Sequence, residues 1–211
     1  GIERLTHQPL SFSVSETTEG VHIHIIDAEL MGKGEKEKKD LYIEGVQNNG
    51  IINHYEYIIN SEGTIEIRHV LKPEGKMPLW FPRIGLTLTV SDALDQVKWY
   101  GRGPQEHYPD RKTGYPTGIY ASTVQAMYEP YLMPQDYGLR TDVRWLQLTT
   151  DKGIGLQFKM NEWFNFNIYP YSTDNLTKAM YTYQLQKQKG MTLNLDYATT
   201  GVGCTARGVF G

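Results

Sequence analysis

Ile84-Gly85-Leu86-Thr87-Leu88-Thr89-Val90 places an apolar side chain at every second position and a small or hydroxylated residue between them. That period of two belongs to a strand with one face against a core, because successive strand side chains point to opposite faces. The same period recurs along the chain. Val21, Ile23 and Ile25 alternate with His22, His24 and Ile26, and Ile65 and Ile67 with Glu66 and Arg68. Phe164, Phe166 and Ile168 alternate with Asn165, Asn167 and Tyr169, and Leu193, Leu195 and Tyr197 repeat the pattern near the end. Further strands are expected at 11–15, 52–59, 118–125, 142–149 and 154–160. Glu19-Gly20, Asn48-Asn49-Gly50, Ser61-Glu62-Gly63, Asp151-Lys152-Gly153 and Lys189-Gly190 supply the turns. Helical patterning is confined to Ser172–Tyr181, where Ser172 or Thr173 would cap a turn or two and Leu176, Ala179 and Met180 would face inward. Many short strands joined by polar turns predict an all-β fold: one large antiparallel β-sandwich domain over residues 1–211, with at most one or two short helices.

Bulk properties narrow the function. Of 211 residues, 39% are hydrophobic, and the 15 tyrosines and 4 tryptophans make the expected core strongly aromatic. A net charge of −3 argues against a nucleic-acid partner, which needs a basic footprint. The chain has no apolar run of the roughly 18 residues that a membrane span requires, so no membrane partner is expected. Gly1-Ile2-Glu3-Arg4-Leu5 carries no leader pattern, and cytoplasmic and periplasmic locations stay equally open. Cys204 is the only cysteine, so an intrachain disulfide is ruled out.

Four groups of residues invite chemical readings. Gly32–Asp40 is a charge run whose four lysines and three acids largely cancel, which suits a solvated connection. His22 and His24 share a strand face and amount to half a metal site; with no third ligand recognisable, an exposed strand face is the expected reading. Trp80, Trp99, Trp145 and Trp163 are each expected in the core, with sugar stacking as the alternative. Glu106 and Asp110 suggest the carboxylate pair of a glycosidase. However, Arg102 and Arg111 lie close in sequence, and an ion-paired carboxylate that stays ionised is a poor general acid. The expected role is a structural lock. A nucleophile elbow, a Walker loop and a Cys-x-x-Cys pair are all missing from the sequence.

Two long motifs carry a resemblance. Trp99-Tyr-Gly-Arg-Gly-Pro-Gln-Glu-His-Tyr-Pro-Asp-Arg-Lys112 resembles the W-x-G-x-G-P-x-E-x-Y-x-D-R pattern of the C-terminal domain of the large β-galactosidases of glycoside hydrolase family 2. Met127-Tyr-Glu-Pro-Tyr-Leu-Met-Pro-Gln-Asp-Tyr-Gly-Leu-Arg-Thr-Asp-Val-Arg-Trp145 resembles that family's Y-x-x-P-Y-x-x-P-Q-E-x-G-x-R-x-D-x-R-W. Pro82-Arg83-Ile84-Gly85, Phe164-Asn165-Phe166 and Gly201-Val202-Gly203 follow in the family's order. The similarity covers residues 79–204 and is weaker from Arg4 onward.

The resemblance implies a galactose-mutarotase-like sandwich within an enzyme that hydrolyses terminal β-galactosides with retention. It places the catalytic glutamates and the magnesium in a separate (β/α)₈ barrel, which this chain does not encode, so no cofactor is expected here. The implied partners are the barrel and other domains of the parent chain, the β-galactoside, and further copies of the parent. In the family a tryptophan shortly after the Gly-x-Gly turn packs on the substrate. Here Gly208 stands at that distance, leaving Cys204, Thr205 and Arg207 as positional candidates for substrate contact. Family members also continue past the point matching Gly211, which leads us to expect either an incomplete sheet or self-association at an unpaired edge. Arg102, Glu106, Asp110, Arg111, Arg140, Asp142 and Arg144 are the expected members of a buried polar network holding the two motif loops. Two other roles compete with that of an accessory domain. One is a stand-alone carbohydrate-binding module, and the other is a mutarotase-like epimerase with His107 as its acid or base.

Overall fold

The computed structural model describes residues 5–31, 50–75, 77 and 81–200. These residues form ten strands, one short α-helix and three single 3₁₀ turns, in the all-β class that the alternation predicts. The strands lie in two antiparallel sheets. The chain divides into two compact units, Gly1–Leu79 and Trp80–Gly211. The charge run at Gly32–Asp40, Trp80, and the Gly201–Gly208 stretch with Cys204, Thr205 and Arg207 lie outside the described residues.

In the first unit, β1 (Leu5–Thr17), β2 (Gly20–Met31), β3 (Gly50–Ile59) and β4 (Ile65–Glu74) pair in sequence order. A two-residue turn joins β1 to β2, with Thr17 opposite Gly20. Asn60 closes the β3–β4 turn, its side-chain oxygen accepting the N–H groups of Glu62 at 3.0 Å and Thr64 at 2.9 Å. The register sets His24 opposite Glu56, and Glu56 opposite Arg68. On the other face, the buried Asn53 donates to Asp27 at 2.8 Å, and His69 lies 3.1 Å from the Asn53 side-chain oxygen.

The second unit holds β5 (Arg83–Val90), β6 (Gln96–Arg102), β7 (Thr117–Thr123), β8 (Arg140–Thr149), β9 (Gly155–Tyr169), α1 (Thr173–Lys178) and β10 (Met191–Thr199). Its sheet runs β5-β10-β9-β8-β6-β7. One face carries the main core, built around Val97, Trp99, Val143, Leu146, Leu148, Phe164, Phe166, Ile168 and Leu193. Each large apolar side chain buried there contributes about 1.5–3 kcal/mol.

The structure changes several expectations. β9 is one continuous strand rather than two, bent against β8 where the register shifts on either side of Val143. β6 was not foreseen as a strand over its full length, and the first four residues of the Trp99–Lys112 run belong to it. Asn167, expected on an outward face, is fully buried, as are Asn194 and Asp196 on β10. A tyrosine-rich layer explains this: Tyr137, Tyr169 and Leu176 form a second apolar cluster, with Tyr128, Tyr131 and Tyr171 packed against it. Beneath that layer the polar atoms pair with each other. Asn194 donates to Asn167 at 2.8 Å and to the Tyr169 hydroxyl at 3.0 Å. Ser172 caps α1 by accepting the Asn175 N–H at 3.1 Å, and Leu176 and Ala179 are buried. Met180 is 55% exposed, against expectation, because the helix ends at Lys178 and the Met180 N–H turns to the Gln184 side chain.

Candidate functional site

The two motif loops meet where β6 ends and β8 begins, and charged side chains cross between them. Arg102 closes β6, and its Nε donates to Asp142 Oδ2 at 2.5 Å. Lys112 donates to the same carboxylate at 2.9 and 3.2 Å. A second nitrogen of Arg102 donates to the carbonyls of Lys112 at 3.2 Å and Tyr115 at 2.8 Å, so this one guanidinium spans the loop. Asp142 sits at a φ of +54°, a left-handed conformation uncommon outside glycine but more accessible to aspartate. Burial acts to raise its pKa, but hydrogen bonds from Arg102 and Lys112 outweigh burial and hold it below the usual carboxylate range.

Glu106 is 5% exposed, and both of its oxygens are committed. One accepts Arg111 Nη2 at 2.6 Å together with the Tyr131 hydroxyl, and the other accepts the Gly138 N–H at 2.5 Å. This ties the first motif loop to the second. Asp110, grouped with Glu106 on sequence grounds, is exposed on the 3₁₀ turn Pro109–Arg111 and so departs from the buried role expected of it. Arg140 is buried over the Trp99 ring, 5.4 Å from its centroid, and donates to the Gly138 carbonyl at 2.9 Å. Among the described residues its Nε has no hydrogen-bond partner, and burial lowers its guanidinium to about 10. Arg144 donates to the Asp142 carbonyl at 2.7 Å and lies over both Tyr100 and Trp163, at 4.8 and 4.3 Å.

His107, the candidate acid or base of an epimerase, is fully buried. Its Nε2 accepts the Thr141 N–H at 3.0 Å, which leaves Nδ1 to donate to the Gln105 carbonyl at 2.9 Å. Burial, with the nearby charges of Arg140 and Arg102, lowers its pKa to about 4 despite the Gln105 hydrogen bond. The ring is a neutral brace stacked 4.8 Å from Tyr115, with no face toward a substrate. The folded state keeps His107 neutral, whereas the unfolded chain binds its proton near the ordinary 6.5. Stability is therefore fully present above about 6.5 and falls as the pH drops from there towards 4. The loss attributable to this residue reaches about 3 kcal/mol. Denaturant unfolding at pH 7 and pH 4.5 measures it, and the His107→Asn chain should lose less stability between the two than the parent.

Sequence reading missed a hub at Asp136. Its carboxylate receives Arg83 at 3.3 and 3.4 Å and Asn167 at 2.8 Å, with the Tyr169 hydroxyl at 3.3 Å. Arg83 Nε also stands 3.0 Å from Asp196, which is 1% exposed. Despite this ion pair, neither Asp196 oxygen meets hydrogen-bond geometry among the described residues. Burial pushes Asp196 up to about 7, against the pull of Arg83. The signal was present in the Pro82-Arg83-Ile84-Gly85 and Pro134-Gln135-Asp136 runs, but nothing in a sequence pairs two residues 53 positions apart.

Beside Asp142 lies an open hollow of about 610 Å³, walled by Pro109, Lys112, Asn161, Glu162, Trp163, Asn165 and Tyr197. Of the expected core tryptophans, Trp99 is buried at 1%, but Trp163 is 59% exposed and lines this hollow, with Arg144 over one face of its ring. The reason is its phase: on β9 the neighbouring Phe164 takes the core side. An aromatic surface ringed by amides, a carboxylate and an ammonium is suited to a polyhydroxylated ligand.

The family model described as β-galactosidase small chain matches residues 9–209. The β-galactosidase of Priestia megaterium is 37% identical over 147 residues, covering 70% of this chain and 14% of that protein. That of Vibrio cholerae is 38% identical over 122 residues, or 58% of this chain and 11% of that protein. That of Pseudoalteromonas haloplanktis is 34% identical over 148 residues, with coverages of 70% and 14%. The chain thus spans about an eighth of the length of these relatives. With the two motif loops joined as described and the family match running almost end to end, the chain belongs to the β-galactosidase small-chain family.

Proposed function

We propose that residues 1–211 act as one accessory, non-catalytic domain of a larger β-galactoside hydrolase. The observation that carries this reading is the commitment of the motif carboxylates. Glycoside hydrolysis uses two carboxyl groups facing the sugar, one of them free to give up a proton. Glu106 is buried, with both oxygens engaged, and Asp142 is held ionised between Arg102 and Lys112. On this reading the acid/base, the nucleophile and the magnesium belong to a barrel elsewhere in the parent. This domain packs on that barrel, supports assembly of the parent oligomer and shapes the aglycone side of the cleft. Cys204, Thr205 and Arg207 remain the proposed substrate-facing residues of its last loop.

A second reading, a stand-alone carbohydrate-binding module, is favoured by the exposed Trp163 beside the hollow. Titrating the chain with galactose and lactose while following tryptophan fluorescence separates the two. The accessory role predicts no saturable change. Saturable quenching that disappears in Trp163→Ala would establish the binding module instead.

A further inference from the structure

We propose that His22, His24 and Glu56 form a binding site for a divalent transition cation of the zinc class, on the first unit and independent of the function proposed above. His22 and His24 are two residues apart on β2 and so project from one face. The pairing of His24 with Glu56 on β3 brings a carboxylate to that same face. One ligand atom from each of the three residues lies within 4.8 Å of the others. His22 Nδ1 is 4.0 Å, and His24 Nε2 3.9 Å, from the same Glu56 oxygen. Donors around a four-coordinate zinc, each about 2.0–2.1 Å from the metal, stand about 3.4 Å apart. Small side-chain rotations close the difference, and the half-exposed His24 leaves a fourth position open to water.

The surroundings hold the ligands as a metal site does. Arg68 Nη1 donates to the other Glu56 oxygen at 3.2 Å, fixing the carboxylate and leaving its first oxygen toward the histidines. Among the described residues His22 Nε2 is buried without a hydrogen-bond partner, and a carboxylate oxygen of Glu19 lies 4.0 Å from it. With Nδ1 on a metal, the Nε2 proton points at Glu19. A carboxylate behind a ligating histidine in this way orients the ring and raises its basicity. Two imidazoles and one carboxylate favour zinc, nickel or copper over magnesium or calcium.

The test titrates zinc chloride into the chelator-treated 211-residue chain by calorimetry, with cobalt(II) absorption as a second readout. The proposal predicts 1:1 uptake with a Kd on the order of 1–10 μM and four-coordinate cobalt bands. His24→Gln and Glu56→Gln, both at surface positions, should weaken binding about 100-fold, and Glu19→Gln, which does not touch the metal, about 10-fold. Circular dichroism confirms that each variant is folded. The proposal is overturned if zinc fails to saturate below about 1 mM. Undiminished binding by Glu56→Gln also overturns it, since imidazole alone would then be capturing the ion.

Discussion

Glu106→Ala is expected to lower the unfolding free energy of the chain by about 3 kcal/mol, measured by urea or guanidinium denaturation at pH 7. Most of the loss comes from what the deletion leaves behind. The Gly138 N–H is buried and loses its acceptor, and the partly buried Tyr131 hydroxyl loses its partner as well. Arg111 contributes less, because its side chain is 51% exposed and water replaces the carboxylate. Arg111→Ala should therefore cost under about 1 kcal/mol, and Glu106→Gln should recover part of the loss by still accepting from Gly138. A loss below about 1 kcal/mol for Glu106→Ala would remove the basis for calling this residue a lock.

Gly85→Ala should cost at least as much, about 3–4 kcal/mol, and should yield much less soluble protein. Gly85 faces Asp196 across the β5–β10 pair, next to a register shift on β10. A Cβ there would overlap the Leu195 carbonyl oxygen and come within 2.5 Å of the Asp196 Cα. These are backbone atoms within a ladder, so neither can swing aside as a side-chain tip would. The methyl group would also press on a carboxylate that already lacks hydrogen bonds. Thermal unfolding of Gly85→Ala beside the parent chain measures the cost. Because alanine is the better strand residue, a loss below about 1 kcal/mol would mean that the ladder yields around the methyl group.

The period-two runs made the strands legible because each has a face that must be apolar. The buried polar face of β9 and β10 was not legible. Asn167 and Asn194 look solvent-facing in sequence, and only the tyrosine layer folded over them makes them interior. Trp163 erred in the opposite direction, since neighbouring positions on a strand face opposite sides and Phe164 claimed the core. The excess of arginine near carboxylates in the motif loops is legible in the sequence, but the parts played by Lys112 at Asp142 and Tyr131 at Glu106 are not, because the loop that brings them in leaves no pattern in sequence. His22 and His24 announced a shared face, but Glu56 enters it only through the register of a strand 32 residues away.

Hydrolysis of a nitrophenyl β-D-galactoside by the purified chain, alone and as part of its parent, decides whether this domain carries chemistry of its own. Residues 1–211 alone should give no turnover above buffer, the parent chain should be active, and deleting this domain should abolish that activity. Turnover by the isolated chain, abolished in Glu106→Gln or Asp142→Asn variants that remain folded, would contradict the non-catalytic role and return the motif loops to the status of an active site.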